Sequence, residues 1–339
     1  MAATSKMGNF SMKKAINEFP EMMKQGIALG KSFKFPWKKE QIDSILILGM
    51  GGSALGGEMA KAVFETSSSI PVSLIRDEEI PGFVNDKTLV IAVSYSGSTK
   101  ETLAALDASL LKTNKIIGIL SGGKLKEICL KRGFPCLEIP SGLMPRAALP
   151  YLFTPLLFML NEVSPFSALN SSLEEALRIL EKMREDLTRT PNSAEETAQK
   201  LYGKIPVIYA ESPLLAPAAY RWKCQINENA KQPAYVQVFP EAYHNDIVGF
   251  TQKLPVHSCM AAVFLRDKPA CSEKVDFFAE RLQKAGVLPL NQFSEGFSVL
   301  TKLLFFAYFG DFVSLYLADK NRVNPEEIQV IDDFKKRFK

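Results

Sequence analysis

Short aliphatic runs alternate along the chain with longer stretches whose apolar positions recur every three to four residues. The runs Ser44–Leu48, Val72–Ile75, Leu89–Val93, Ile116–Leu120 and Cys136–Ile139 predict strands separated by helices. That rhythm is the signature of a parallel α/β sheet. It stops between about Leu143 and Leu201, where Ser172–Leu187 carries alternating charge on a 3.6-residue apolar pattern. It resumes with Pro206–Ala210, Ala234–Val238, Ala261–Leu265 and Val287–Leu290. The expectation is an N-terminal α/β domain over residues 1–150, a helical connector over 151–200 and a second α/β domain over 201–339. The most apolar stretch, Val299–Leu317, is interrupted by Lys302, Gly310 and Asp311, which predicts a buried helix and not a membrane span. No short tandem repeat or low-complexity segment is visible, which argues against a solenoid.

Composition narrows this picture. With 339 residues, 47% hydrophobic and 23% charged, the chain can bury a full core in each of two domains. The 41 basic and 37 acidic residues are dispersed, so no whole-molecule basic field points to nucleic acid; the basic tail Lys335 to Lys339 reads as a solvated helix end. Cysteines at 129, 136, 224, 259 and 271 show neither CxxC spacing nor paired histidines, so no zinc site is legible. Cys224 and Cys259 stand in apolar stretches and are expected to be small buried hydrophobes. The first twenty residues lack the apolar block of a signal peptide, and together with the free thiols this predicts a cytoplasmic protein.

Two loops carry the chemistry. After the first strand comes Gly49-Met50-Gly51-Gly52-Ser53-Ala54-Leu55-Gly56-Gly57, leading into a helix. Glycines at such a turn let the backbone approach an anion, and the helix start presents unpaired N–H groups to it. A phosphate is the natural occupant of such a turn, which here contains Gly52 and Ser53. The dinucleotide pattern G-x-G-x-x-G/A also accommodates Gly49, Gly51 and Ala54, so this loop alone leaves that reading open.

The second loop separates the alternatives. Leu89–Val93 runs into Ser94-Tyr95-Ser96-Gly97-Ser98-Thr99-Lys100-Glu101-Thr102, with five serine or threonine hydroxyls in nine residues, more than N-capping of a helix requires. Hydroxyl donors beside free backbone N–H groups suit a phosphate monoester. Two such loops at the ends of neighbouring strands would converge on one crevice. Together, strand-GMGGSALGG and strand-SYSGSTKET resemble a sugar isomerase (SIS) domain, which grips phosphosugars. The resemblance implies phosphate contacts from Ser53, Ser94, Ser96 and Thr99, with Ser98 and Thr102 as helpers or caps.

Moving a proton between two sugar carbons needs a base, an acid–base pair to open the ring and a positive charge beside the enediolate. The chain has two histidines. His257, at the entrance to a strand, reads as structural; His244 lies in the polar patch Glu241-Ala242-Tyr243-His244-Asn245-Asp246. Sixteen positions before it, Glu228 ends a helix in Asn227-Glu228-Asn229-Ala230-Lys231. Arg146 is a lone charge in Leu143-Met144-Pro145-Arg146-Ala147-Ala148-Leu149-Pro150, where a guanidinium must be paired or face a polar cavity.

NENAK followed at this spacing by HNDIVG closely resembles the bifunctional phosphoglucose/phosphomannose isomerases. That resemblance covers about Ile45 to Phe334 and implies two SIS-type domains, each a mostly parallel sheet flanked by helices. It implies Glu228 as the proton-shuttling base, His244 and a C-terminal lysine, Lys335 or next Lys336, as ring openers, and Arg146 as the enediolate stabiliser. It implies no metal or organic cofactor, a phosphosugar substrate and a homodimer in which His244 reaches the neighbouring subunit's site. The expected reaction is the interconversion of glucose 6-phosphate and/or mannose 6-phosphate with fructose 6-phosphate through a cis-enediolate. The alternative is a non-catalytic SIS protein that senses a phosphosugar; it would keep the hydroxyl loops but have no need of Glu228, His244 and Arg146 together.

Overall fold

The computed structural model describes residues 11–267 and 273–337, without the side chains of Asp332, Lys335 and Lys336. The chain divides into two compact units, Met1–Leu173 and Glu174–Lys339.

The first unit opens with helices α1 (Met12–Asn17) and α2 (Phe19–Ser32). It then runs β1 (Ser44–Leu48), α3 (Gly51–Phe64), β2 (Val72–Ile75), β3 (Thr88–Ser94), α4 (Lys100–Ser109), β4 (Ile116–Leu120), α5 (Gly123–Arg132) and β5 (Cys136–Glu138). The strands form one parallel sheet of order β2-β1-β3-β4-β5. Every residue of β1, β3 and β4 is buried, as expected of strands covered on both faces, which is why they read as uninterrupted apolar runs. Helix α6 (Leu149–Val163) closes the unit against α2 and α3. In this strand order the chain reverses its direction of travel between β1 and β3, the position where an open α/β sheet offers a crevice. Leu48 pairs with Ala92, so the residues that follow the two strands emerge at the same edge of the sheet.

Helix α7 (Leu169–Leu187) carries the division between the units, and its buried positions Leu169, Leu173, Ala176, Leu180, Met183 and Leu187 form a seam spaced by fours and threes.

The second unit continues with α8 (Ser193–Leu201), β6 (Ile205–Ala210), α9 (Ala216–Ala230), β7 (Tyr235–Val238), β8 (Met260–Arg266), α10 (Glu273–Ala285), β9 (Leu288–Phe293), α11 (Val299–Asn321) and α12 (Gln329–Arg337). Its strands form a parallel sheet of order β7-β6-β8-β9. An aromatic cluster of Tyr209, Phe239, Phe264 and Phe278 fills one side of that sheet.

Helix α11 is long and apolar enough to cross a membrane by composition, yet its side chains are largely covered by the protein, and it packs on α8 and α9. It also holds a wholly buried ion pair, Asp311 with Arg221 of α9. Its first turn is capped by Ser298 Oγ, which accepts from the Thr301 N–H at 3.0 Å, and by Glu175, which accepts from the Phe297 N–H at 3.0 Å and the Thr301 hydroxyl at 2.6 Å. Burial pushes the Glu175 carboxyl up, but the bonds from Thr301, Phe297 and Ser298 outweigh it and leave it below the usual carboxylate range.

Candidate active site

In the first unit, α3 begins immediately after β1, with Met50 as an extended N-cap residue that supplies no side-chain cap. The orphan N–H groups of that first turn are therefore not taken up by a side chain at the cap. Ser53, in the same turn, is buried, and its Oγ accepts the Tyr95 N–H at 3.2 Å, which ties the first loop to the second. Gly52 is required by close approach. A Cβ there would stand 2.8 Å from the Pro145 carbonyl oxygen and 3.3 Å from the Arg146 Cα, so any side chain would push the Arg146 turn away from α3.

The second loop turns on its own hydroxyls. Ser94 Oγ lies 3.1 Å from Thr99 Oγ1 and accepts the Gly97 N–H at 3.1 Å, while Ser96 Oγ accepts the Ser98 N–H at 3.3 Å. Thr99 is the N-cap residue of α4 but makes no side-chain cap, so its hydroxyl is not spent on the helix. Ser94 is buried, Thr99 half-buried and Ser96 exposed. Thr102, in the first turn of α4, has a buried hydroxyl without a hydrogen-bond partner among the described residues. Gly97 has φ +66° and lies so close to the turn after β4 that a Cβ would overlap the Gly122 carbonyl at 1.8 Å. Only glycine satisfies both conditions there.

Tyr95 is the residue in this cluster that the sequence did not single out. Its hydroxyl donates to the Pro140 carbonyl at 3.0 Å and accepts the Leu143 N–H at 2.8 Å, linking the second loop to the segment that leads to Arg146. Burial pushes its phenol above the ordinary value, and the Leu143 bond opposes that rise. Arg146 itself is buried, on the short 3-10 turn Pro145–Ala147. The first unit thus gathers Gly52, Ser53, Ser94, Ser96, Thr99 and the Arg146 turn at the carboxyl ends of β1 and β3. Two helix starts without side-chain caps and several hydroxyls form a cradle suited to an oxyanion, with the backbone of the Arg146 turn beside it.

In the second unit, Glu228 is half-buried in the last turn of α9 and lines a groove of about 1110 Å³ with Lys223, Cys224, Lys231, Arg322 and Asn324. Its helix is locked by a polar stripe at every fourth residue. Arg221 donates through Nε to Asp311 Oδ1 at 2.9 Å and through Nη2 to Oδ2 at 2.6 Å; Gln225 donates to Asp311 Oδ1 at 2.8 Å; Asn229 donates to Ser314 Oγ at 2.9 Å. All three stripe residues are buried, so the turn bearing Glu228 is held against α11 by bonds that water cannot replace. Lys231, in the left-handed region at φ +54°, ends the helix and bonds through Nζ to the carbonyls of Glu228 at 2.6 Å and Asn324 at 2.7 Å.

The chain is similar to known proteins. The SIS domain family matches residues 40–128, and the family described as bacterial phospho-glucose isomerase C-terminal SIS domain matches residues 190–338. A protein of Caldicellulosiruptor bescii named bifunctional phosphoglucose/phosphomannose isomerase is 38% identical over 335 residues, 96% of this chain and 98% of that one. The chain belongs to the bifunctional phosphoglucose/phosphomannose isomerase family. A D-glucosamine-6-phosphate 4-epimerase of Sulfolobus acidocaldarius is also 38% identical, over 208 residues that cover 60% of this chain and 63% of that one. Among solved structures, a hypothetical protein from Thermus thermophilus superposes with a TM-score of 0.76 at 17% identity, over 98% of this chain and 91% of that one, a likeness of fold.

The remaining residues expected to matter in a phosphoglucose/phosphomannose isomerase stand as follows. His244 is exposed at the end of the 3-10 turn Glu241–Tyr243, outside the groove of Glu228. The turn is anchored by Tyr243, stacked on Phe239 at 4.3 Å, and by the buried Ala242. His257 is buried, accepts the Leu254 N–H at Nδ1 over 3.2 Å and packs on Phe250 at 5.1 Å, as a structural histidine would. Lys335 and Lys336 belong to α12, and their side chains lie outside the described residues, as does Cys271. Cys259 departs from expectation. It is exposed, because it ends the 3-10 turn Pro255–Cys259 before β8 begins, and Cys224 is only partly buried beside the Glu228 groove.

Proposed function

We propose that this protein interconverts glucose 6-phosphate and mannose 6-phosphate with fructose 6-phosphate through a cis-enediolate. The observation that carries the reading is the convergence of Ser53, Ser94 and Thr99 with two helix starts that lack side-chain caps, on adjacent strands of the first unit. An arrangement with several hydroxyl donors and free N–H groups fits a phosphate monoester, and membership of a family of phosphosugar isomerases fits the same ligand.

In this reading Gly52, Ser53, Ser94, Ser96 and Thr99 take the phosphate and so fix C1 and C2, because orientation supplies a large part of the rate gain. His244 and Lys335 open the ring. Glu228 carries the proton between C2 and C1, and Arg146 stabilises the oxygen that becomes negative. Acid–base catalysis by Glu228 contributes roughly 10² to 10⁴-fold, leaving the remainder to phosphate anchoring and to Arg146. The positive charge the enediolate needs comes from Arg146, so the scheme calls for no metal or organic cofactor. The protein acts in the cytoplasm as a homodimer, with His244 supplied to the active site by the neighbouring subunit.

The test is a coupled assay on fructose 6-phosphate that follows glucose 6-phosphate and mannose 6-phosphate separately, with Glu228→Gln as control. Both aldoses are expected from the parent and neither from the variant. Binding without turnover would return the protein to a sensing role, and a C4 epimer from glucosamine 6-phosphate would align it with the epimerase relative instead.

A further inference from the structure

We propose that Tyr95 is the positioning residue that couples phosphate capture to Arg146, its phenol fixing where the Arg146 turn stands relative to the two hydroxyl-bearing loops. The proposal rests on the reading of Arg146 as the group that stabilises the enediolate.

One residue makes every link that this requires. The Tyr95 N–H is bonded to Ser53 of the first loop at 3.2 Å. Its carbonyl accepts from the Ser121 N–H at 3.0 Å and from the Ser121 hydroxyl at 2.5 Å, which braces the second loop against the turn after β4. Its hydroxyl bridges Pro140 at 3.0 Å and Leu143 at 2.8 Å. Leu143 stands three residues before Arg146, and on the other side the turn rests on Gly52, where a Cβ would come within 2.8 Å of the Pro145 carbonyl. The Arg146 turn is therefore located from two directions, by the bare backbone of the first loop and by the aromatic strut of the second. Tyr95 directly follows Ser94, so the strut grows from the same loop that would hold the phosphate. A rigid ring with two fixed bonds transmits position in a way that a flexible segment cannot.

Tyr95 is 6% exposed, so water has little access to take over the two bonds if the hydroxyl is lost. Burial pushes its phenol above the ordinary value, so it remains a protonated donor throughout any practical assay range.

The experiment uses the full chain with Tyr95→Phe, Arg146→Ala and the double variant. It measures isomerase kinetics and the binding of two probes, inorganic phosphate and 5-phosphoarabinonate, whose carboxylate occupies the place of the enediolate oxygens. Tyr95→Phe should lower kcat about 10- to 100-fold and weaken 5-phosphoarabinonate in parallel, the scale expected for a misplacement of about 1 Å. KM and inorganic phosphate binding should change less than about three-fold, with the shape of the pH profile retained. In the Arg146→Ala background the same substitution should cost less than about three-fold, because coupled groups are not additive. Ser121→Ala, which loosens the Tyr95 carbonyl and keeps the phenol, should give the same pattern at about 3- to 10-fold, and serves if Tyr95→Phe does not fold. Multiplicative losses in the double variant, equal weakening of both probes, or parent kinetics for Tyr95→Phe would overturn the proposal. Full kcat in Arg146→Ala would instead remove the underlying reading of Arg146, and the proposal with it. A crippled Arg146→Ala beside an active Tyr95→Phe removes the positioning role alone.

Discussion

Asp311→Asn is the substitution whose cost follows most directly from the structure. Arg221 is 2% and Asp311 0% exposed, joined by two bonds of 2.9 and 2.6 Å, with Gln225 on the same carboxylate at 2.8 Å. A guanidinium does not shed its proton in a protein, so the variant leaves a buried positive charge facing a neutral amide. Removing one partner of such a pair costs about 3–5 kcal/mol, a large part of the roughly 5–15 kcal/mol that holds a domain together. At about 2–4 °C per kcal/mol for a unit of this size, the melting temperature should fall by roughly 6–20 °C. Calorimetry of the parent, Asp311→Asn and the double replacement Arg221→Met with Asp311→Leu would read this. The double variant should recover most of the loss, since a well-packed apolar pair of similar volume is often no less stable. Isomerase activity should fall in Asp311→Asn at temperatures where it is still folded, because the stripe of Arg221, Gln225 and Asn229 sets the turn that carries Glu228. Burial holds the Asp311 carboxyl above its ordinary value, outweighing the opposing pull of Arg221 and Gln225. A melt within about 2 °C of the parent would mean that the carboxyl is already neutral in the fold, and the ion-pair reasoning would fail.

Three further outcomes are expected. Gly52→Ala should lower kcat/KM at least about ten-fold, because its Cβ would displace the Pro145 carbonyl from 2.8 Å and move Arg146; unchanged kinetics would show that the contact relaxes harmlessly. Glu175 has a folded pKa below its unfolded one, so its contribution to stability is complete above the ordinary glutamate value of about 4.3 and is lost as pH falls through the depressed value. The gap in melting temperature between parent and Glu175→Gln should accordingly be widest near neutral pH and close in acid; a gap that widens in acid contradicts the assignment. Mixed dimers of His244→Ala and Glu228→Gln subunits, each inactive alone, should regain part of the parent activity if His244 serves the neighbouring subunit's site, and none if it serves its own.

Strands buried on both faces were the easiest part of the fold to read. Ser44–Leu48 and Ile116–Leu120 begin and end where their apolar runs do, and so does the less buried edge strand Val72–Ile75. The strand predicted over Val287–Leu290 in fact spans Leu288–Phe293, and the extension hid behind two polar residues. Asn291 accepts from the buried Arg266, and Gln292 donates to Thr197, so these side chains are satisfied by partners far away in the chain. The hydroxyl loops were legible because glycine and serine have local reasons to collect at a helix start. Tyr95 was not, because its partners stand 45 and 48 positions further on and a tyrosine in a loop gives no sign of them. Asp311 was visible as a break in an apolar helix, but its answering charge lies 90 residues earlier, a pairing that only the packing of α9 on α11 reveals.

The central claim is that a base in this chain moves the proton of a bound phosphosugar, and the most direct measurement is turnover of fructose 6-phosphate in deuterium oxide followed by NMR. The account predicts glucose 6-phosphate and mannose 6-phosphate that each carry deuterium at C2, and neither product with Glu228→Gln. Products that form without deuterium at C2 would point to proton transfer shielded from solvent, and the Glu228→Gln result then decides the base. Equal turnover in parent and Glu228→Gln, or no turnover of a sugar phosphate that demonstrably binds, would contradict the account.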